Sequence, residues 1–170
     1  GTSEREEVLS EYNRMYNSHI DIPMHIGGKE VYTDDKRELC PPHDHKHVVG
    51  TSNYGGEKEV RIAIDAAMKA REKWSKMGWE HRASIFLKAA DLLAGPFRSK
   101  MNAATMIAQS KNVFQAEIDA ACELIDFFKF NVQYMSQLYK EQPESSPGIW
   151  NRLEHRPLEG FVFALTPFNF

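Results

Sequence analysis

The chain has 170 residues, 26% of them charged and 42% hydrophobic, and a formal net charge of −3. That length holds one domain with a sizeable core, or one domain and the start of another. The mildly acidic balance argues against a binder of nucleic-acid backbones, and no apolar run nears the length of about eighteen residues that spans a membrane. Cys40 and Cys122 lie far apart and in no CxxC spacing, which argues against a disulfide framework or zinc ribbon and points to a reducing compartment.

The first stretch, Ser3 to Tyr16, spaces Val8, Leu9, Tyr12 and Met15 among charges, which predicts an amphipathic helix with Ser3 as N-cap and Glu6 three residues on. It lacks the basic-then-apolar pattern of a signal peptide. "HIDIPMHIGGKEVYTDDKRELC" predicts short strands turned at Gly27-Gly28 and again at Thr33-Asp34-Asp35, and "HKHVVGTSNYGG" predicts one more strand running into a loop. From Glu57 the period becomes helical: Val60, Ile64, Ala67, Met68 and Trp74 form one face. A second helix carries Ala83, Phe86, Leu87, Ala90 and Leu93 and stops at Gly95-Pro96, and a third runs from Phe97 to about Gln109.

The strongest periodicity comes next, with Phe114, Ile118, Ala121, Ile125, Phe128, Val132 and Met135 in one row and Ala120, Leu124, Phe127, Tyr134 and Leu138 in a second. Two rows predict a helix buried on more than one side. "KEQPESSPG" then breaks it as a linker. Trp150 to Arg156 alternates like an exposed edge strand, and Phe161 to Leu165 is continuously apolar like a doubly covered parallel strand. The chain closes on "LEGFVFALTPFNF", apolar where terminal residues are usually polar, so the native protein is expected to continue past Phe170.

Among chemistry-bearing residues, His43, His45 and His47 would share one face if "HDHKH" were a strand. Without a second ligand cluster they read as loop histidines, and no metal is expected. Neither cysteine has an evident neighbouring base, so both read as inert thiols. Glu117, Asp119 and Asp126 read as a solvated face, whereas Glu123, beside Leu124 and Phe127, is expected to turn inwards, where a carboxylate needs a partner. The terminal Thr-Pro-Phe-Asn sets backbone carbonyls and one amide at the end of the expected parallel strand, the place where open α/β sheets bind ligands.

"RASIFLKAADLLAGP", "QAEIDAACELIDFFKFN" and "RPLEGFVFALTPFNF" together resemble the aldehyde dehydrogenases, and within them the glutamate γ-semialdehyde (1-pyrroline-5-carboxylate) dehydrogenases of proline catabolism, from about Ile26 onwards. The resemblance implies an α/β fold, here its N-terminal part: short strands, four or more helices, an oligomerisation-flap strand and the first strand of a Rossmann-like NAD-binding sheet. The divisions would be 1–148 for the N-terminal strands and helical part, 149–157 for the flap strand, and 158–170 for the first strand and turn of the core.

It further implies that a cysteine thiolate attacks the aldehyde, an asparagine amide holds the oxyanion, hydride passes to NAD, and glutamate activates water against the thioester. Of these parts the sequence holds only the asparagine, Asn169, so this piece alone is expected to be inactive. By the same resemblance Leu165, Thr166, Pro167 and Phe168 face NAD, Phe170 packs the aliphatic part of the semialdehyde, and Glu123 sits near the substrate tunnel. The implied partners are a small aldehyde and other copies of the protein, joined through the flap, in the cytoplasm of a bacterium or the mitochondrial matrix of a eukaryote. The competing readings are a non-catalytic helical interaction module and a dehydrogenase of another aldehyde.

Overall fold

The computed structural model describes residues 1–166. Helix α1 spans Ser3–Tyr16, and its cap is Thr2 rather than Ser3. Thr2 is the last residue with extended backbone, so its hydroxyl rather than that of Ser3, already helical, reaches back to accept from the Arg5 amide at 3.4 Å.

Five short strands come after it: β1 (Ile20–Ile22), β2 (Met24–Ile26), β3 (Lys29–Val31), β4 (Lys36–Leu39) and β5 (Gly50–Asn53). β2 and β3 form an antiparallel hairpin turned by Gly27 and Gly28, whose φ values of 59° and 78° suit glycine. The other three form a sheet in the order β1-β5-β4, with β1 parallel and β4 antiparallel to the central β5. Asp21 knots it from the side, accepting from Lys36 Nζ (2.6 Å), Thr51 Oγ1 (3.0 Å) and Asn53 Nδ2 (2.7 Å).

Helices α2 (Glu57–Trp74), α3 (Trp79–Ala94) and α4 (Arg98–Gln109) keep the ends expected from their punctuation. The last helical run is less regular. α5 (Val113–Ala116) passes through a π-helical turn, Glu117–Cys122, into α6 (Glu123–Lys140), with αR backbone at each junction. A π turn takes in more residues than an α turn and so rotates the faces of α6 relative to those of α5. The α-periodic row therefore holds only from Ala121 onwards: Ala121 is 0% exposed and Ile125, Phe128, Val132 and Met135 are part-buried, whereas Phe114 and Ile118, before or within the π turn, are exposed and Ala116, five positions before Ala121, is buried instead.

Two interfaces make the core, α1 against α4 and α3 against α6. Small side chains let the helices approach: Ala83, Ala90, Ala103, Ala116 and Ala121 are buried, as are the larger Leu93 and Ile107. Phe86 of α3 meets Phe128 of α6 with ring centroids 5.9 Å apart. The expectation that this last helix is buried on more than one side is not met. One side of α6 packs on α3, while Phe127, Tyr134 and Leu138 face outwards because no described element covers them.

Residues 141–166 carry neither helix nor strand, in keeping with the linker expected at "KEQPESSPG". Trp150 to Arg156 and Phe161 to Leu165 were expected as strands, the second one buried. Strands exist by pairing, the described residues offer these segments no neighbouring ladder, and both are exposed.

Candidate functional site

The segment leading towards Asn169 leaves the helical body at a fixed turn. Arg156 pairs with Glu159 across it, and Gly160, with φ at 74°, redirects the backbone. At the crest, the carbonyl of Leu158 accepts a hydrogen bond from Arg71 Nε of α2 at 2.9 Å. Leu165 and Thr166 are exposed, leaving their backbone edge open. Pro167, Phe168, Asn169 and Phe170, which hold most of the expected site, lie outside the described residues.

Glu123 opens α6 and faces outwards rather than into the core as expected. The apolar neighbours that suggested burial, Leu124 and Phe127, do not enclose it: Phe127 is itself 59% exposed. Glu123 instead lines an open groove of about 330 Å³ together with Asp126, Phe127, Phe130, Asn131 and Tyr134. Two carboxylates beside three aromatic rings give that groove an apolar floor with an anionic end.

The carboxylates read as a solvated face divide differently. Glu117, at the start of the π turn, accepts from Arg98, Asn102 Nδ2 and the Cys122 thiol, the last at 3.5 Å. The Arg98 guanidinium, aided by Asn102, holds the Glu117 carboxyl below the ordinary glutamate range against the opposing effect of burial. Burial and the same carboxylate push the Cys122 thiol up, which disfavours the thiolate. Asp119 pairs with Lys111, whose side chain is largely buried. Sequence reasoning missed this cluster because its partners sit on another helix, and the spacing of five between Glu117 and Cys122 belongs to no α-helical pattern.

The histidine run forms a turn rather than a strand, with Asp44 N bonded to Pro41 O and His47 N to Asp44 O. Both His43 and His47 stack on Tyr16, His43 with its centroid 6.3 Å from that ring. His43 lies between Ser110 Oγ (2.7 Å) and Tyr12 Oη (3.5 Å), and His47 stacks on Tyr16 with centroids 4.1 Å apart. Among the described residues no three His, Cys, Asp or Glu side chains come together as a metal-ligand set.

Comparison with known proteins supplies what this geometry lacks. The sequence pattern of the Aldehyde dehydrogenase family matches residues 31–170, so the chain belongs to that family. Within it, the chain is 47% identical over 171 residues to the probable delta-1-pyrroline-5-carboxylate dehydrogenase of Schizosaccharomyces pombe, covering 99% of this chain and 31% of that one. It is 44% identical over 170 residues to the mitochondrial delta-1-pyrroline-5-carboxylate dehydrogenase of Homo sapiens, covering 100% of this chain and 30% of the human one. Its fold superposes on the NAD-bound delta-pyrroline-5-carboxylate dehydrogenase of Mycobacterium tuberculosis with a TM-score of 0.96 and 46% identity, over 99% of this chain and 32% of that one. The chain thus spans somewhat under a third of the length of these relatives.

Proposed function

We propose that the chain is the N-terminal portion of an NAD-dependent dehydrogenase that oxidises L-glutamate γ-semialdehyde, formed from 1-pyrroline-5-carboxylate, to L-glutamate in proline catabolism. The observation that carries this reading is the superposition, at a TM-score of 0.96 over 99% of the chain, on a relative named for that substrate and bound to NAD. On this reading residues 1–148 are the N-terminal strands and helical part of the NAD-binding domain, 149–157 the strand of the oligomerisation flap, and 158–170 the first strand and turn of the Rossmann-like core.

The chemistry derives from what each residue offers. The side-chain amide of Asn169 donates to the oxygen that becomes negative when a thiolate adds to the aldehyde carbon, and stabilises that charge without reorganising. By the resemblance to the family, Leu165 and Thr166, which are exposed, are assigned with Pro167 and Phe168 to the nicotinamide side of NAD. NAD, when bound, supplies the hydride acceptor. Phe170 packs the aliphatic stem of the semialdehyde. Glu123, exposed beside Phe127, lines its approach. Trp150 to Arg156, exposed and without a ladder among the described residues, suits an edge that pairs with another copy. The matching compartment is the mitochondrial matrix for a eukaryotic source and the cytoplasm for a bacterial one.

The test is turnover of the full-length protein. Asn169→Ala lowers kcat on glutamate γ-semialdehyde by about a hundredfold to a thousandfold, the scale of losing one oxyanion donor. Unchanged turnover removes Asn169 from the mechanism, and equal turnover of simple alkyl aldehydes by the unaltered protein removes the substrate assignment.

A further inference from the structure

The three-stranded sheet has two unlike faces. Its ladder sets Ile20, Gly50 and Leu39 in one row, and because side chains alternate along a strand, Ile22 shares their face. The opposite face is the polar one, where Asp21 gathers Lys36, Thr51 and Asn53. An apolar sheet face has to be covered by another layer, and α4 stands opposite this one. It stands off, however: among the described residues no helix packs closely on this sheet. Between Ile20, Ile22 and Leu39 on one side and Ala104, Ile107 and Ala108 on the other lies a cavity of about 390 Å³. Ile20 and Ile22 are 54% and 41% exposed, so the apolar face is still open.

The mouth of the cavity is cationic. Arg14 and Lys100 are the charged residues of its lining, and both are exposed. Arg14 spends Nε and Nη2 on Glu11, at 2.8 and 2.7 Å. Arg14, and Lys100 at longer range, hold the Glu11 carboxyl below the ordinary glutamate range, so these three charges lie together with one positive charge in excess. The volume falls at the lower end of the range of about 300–1,000 Å³ found for small-molecule pockets. An apolar body of modest length with one anionic end matches this site. Its chain would leave water for the gap between sheet and helix, while its head would stay at a wet, cationic rim.

We propose that this cavity binds a medium-chain alkyl carboxylate, with the chain between the sheet and α4 and the head at Arg14 and Lys100. The inference does not depend on the roles given to Asn169 and Glu123. Cys40, a free thiol in the wall of the cavity, reports its occupancy. In the full-length protein, alkylation of Cys40 by iodoacetamide is followed by peptide mass spectrometry with octanoate, with acetate as the head alone, and with octanol as the chain alone. Calorimetric titration gives the affinities.

Octanoate is expected to bind with a Kd of about 0.1–1 mM. At ten times that concentration it is expected to slow the alkylation of Cys40 by about tenfold, and acetate is expected to leave the rate unchanged. Lys100→Glu is expected to weaken octanoate by about fivefold to tenfold and octanol by less than about twofold. Ala108→Phe fills the gap and is expected to abolish the protection; if that variant does not fold, Lys100→Glu, at the exposed rim, carries the test. A Cys40 alkylated equally fast with and without octanoate overturns the proposal, even where octanoate binds, because the binding then lies elsewhere. A Cys40 that iodoacetamide does not reach in the full-length protein also overturns it, since another part of that protein then covers the cavity. Equal effects of Lys100→Glu on octanoate and octanol overturn the assignment of an anionic head.

Discussion

Replacing Glu117 by alanine tests the polar clamp at the π turn, and the structure fixes where the cost arises. The Arg98–Glu117 pair is partly open to solvent, with side-chain exposures of 45% and 29%, so its own contribution is screened to about 1 kcal/mol or less. Asn102 decides the magnitude. It is 1% exposed, its Oδ1 has no hydrogen-bond partner, and its Nδ2 donates to Glu117. Removing the carboxylate strands the whole amide in the core, at a cost of about 1–3 kcal/mol. The expected total of about 2–3 kcal/mol moves a urea midpoint by about 1 M. Glu117→Gln keeps an acceptor for Asn102 and is expected to cost about 1 kcal/mol. The sign with pH comes from the lowered carboxyl: the unfolded chain binds the proton more readily, so this stability is complete above the ordinary glutamate value and lost as pH falls through the folded one. Equilibrium urea unfolding of the three proteins at neutral pH and near pH 4 provides the comparison. Equal midpoints for Glu117→Ala and Glu117→Gln would refute the reasoning, because the cost would then lie in the charge and not in the stranded amide.

Two further changes test the sheet. A Cβ at Gly50 would stand 2.8 Å from Ile20 Cγ2 and closer still to the Ile20 carbonyl oxygen, so Gly50→Ala must force β1 from β5 and is expected to cost about 1–3 kcal/mol; an unchanged unfolding midpoint would contradict that close approach. Lys36, with Thr51 and Asn53, lowers the Asp21 carboxyl, so its contribution is present above the ordinary aspartate value and disappears as pH falls through the folded one. Asp21→Asn should therefore flatten the loss of stability between about pH 6 and about pH 3, and parallel pH profiles for variant and parent would rule out the knot.

The features legible in the sequence were those that neighbours along the chain decide. Gly27-Gly28 demands positive φ wherever it stands, and the hairpin formed there. Gly95-Pro96 cannot continue a helix, and α3 ends at Ala94. The chain turns at Thr33-Asp34-Asp35, where the Thr33 hydroxyl donates to the Tyr54 carbonyl at 2.8 Å and lies 3.2 Å from that of Asp35. The features that stayed hidden depend on distant partners. A periodicity search assumes about 3.6 residues per turn, and the π turn breaks that assumption near the start of the strongest helical signal, so that Ala116 is buried together with the expected Ala121, while Phe114 and Ile118, expected with it, are exposed.

Glu117 and Glu123 exchanged their expected places for the same kind of reason. Both are glutamates near apolar residues on one helical run, and nothing local separates them. Arg98 and Asn102 reach Glu117 from α4, whereas α3 meets α6 on the side away from Glu123, whose neighbours Phe127, Phe130 and Tyr134 remain outside. Burial of a carboxylate is thus set by whether a donor from another element arrives, not by the apolar residues beside it in sequence. The run from Phe161 to Leu165 obeys the same logic: continuous apolarity states what a strand requires, and a sheet has to supply it. Arg71 belongs with these cases, since an arginine on the polar side of an amphipathic helix reads as solvated until a carbonyl from 87 positions away is found against it.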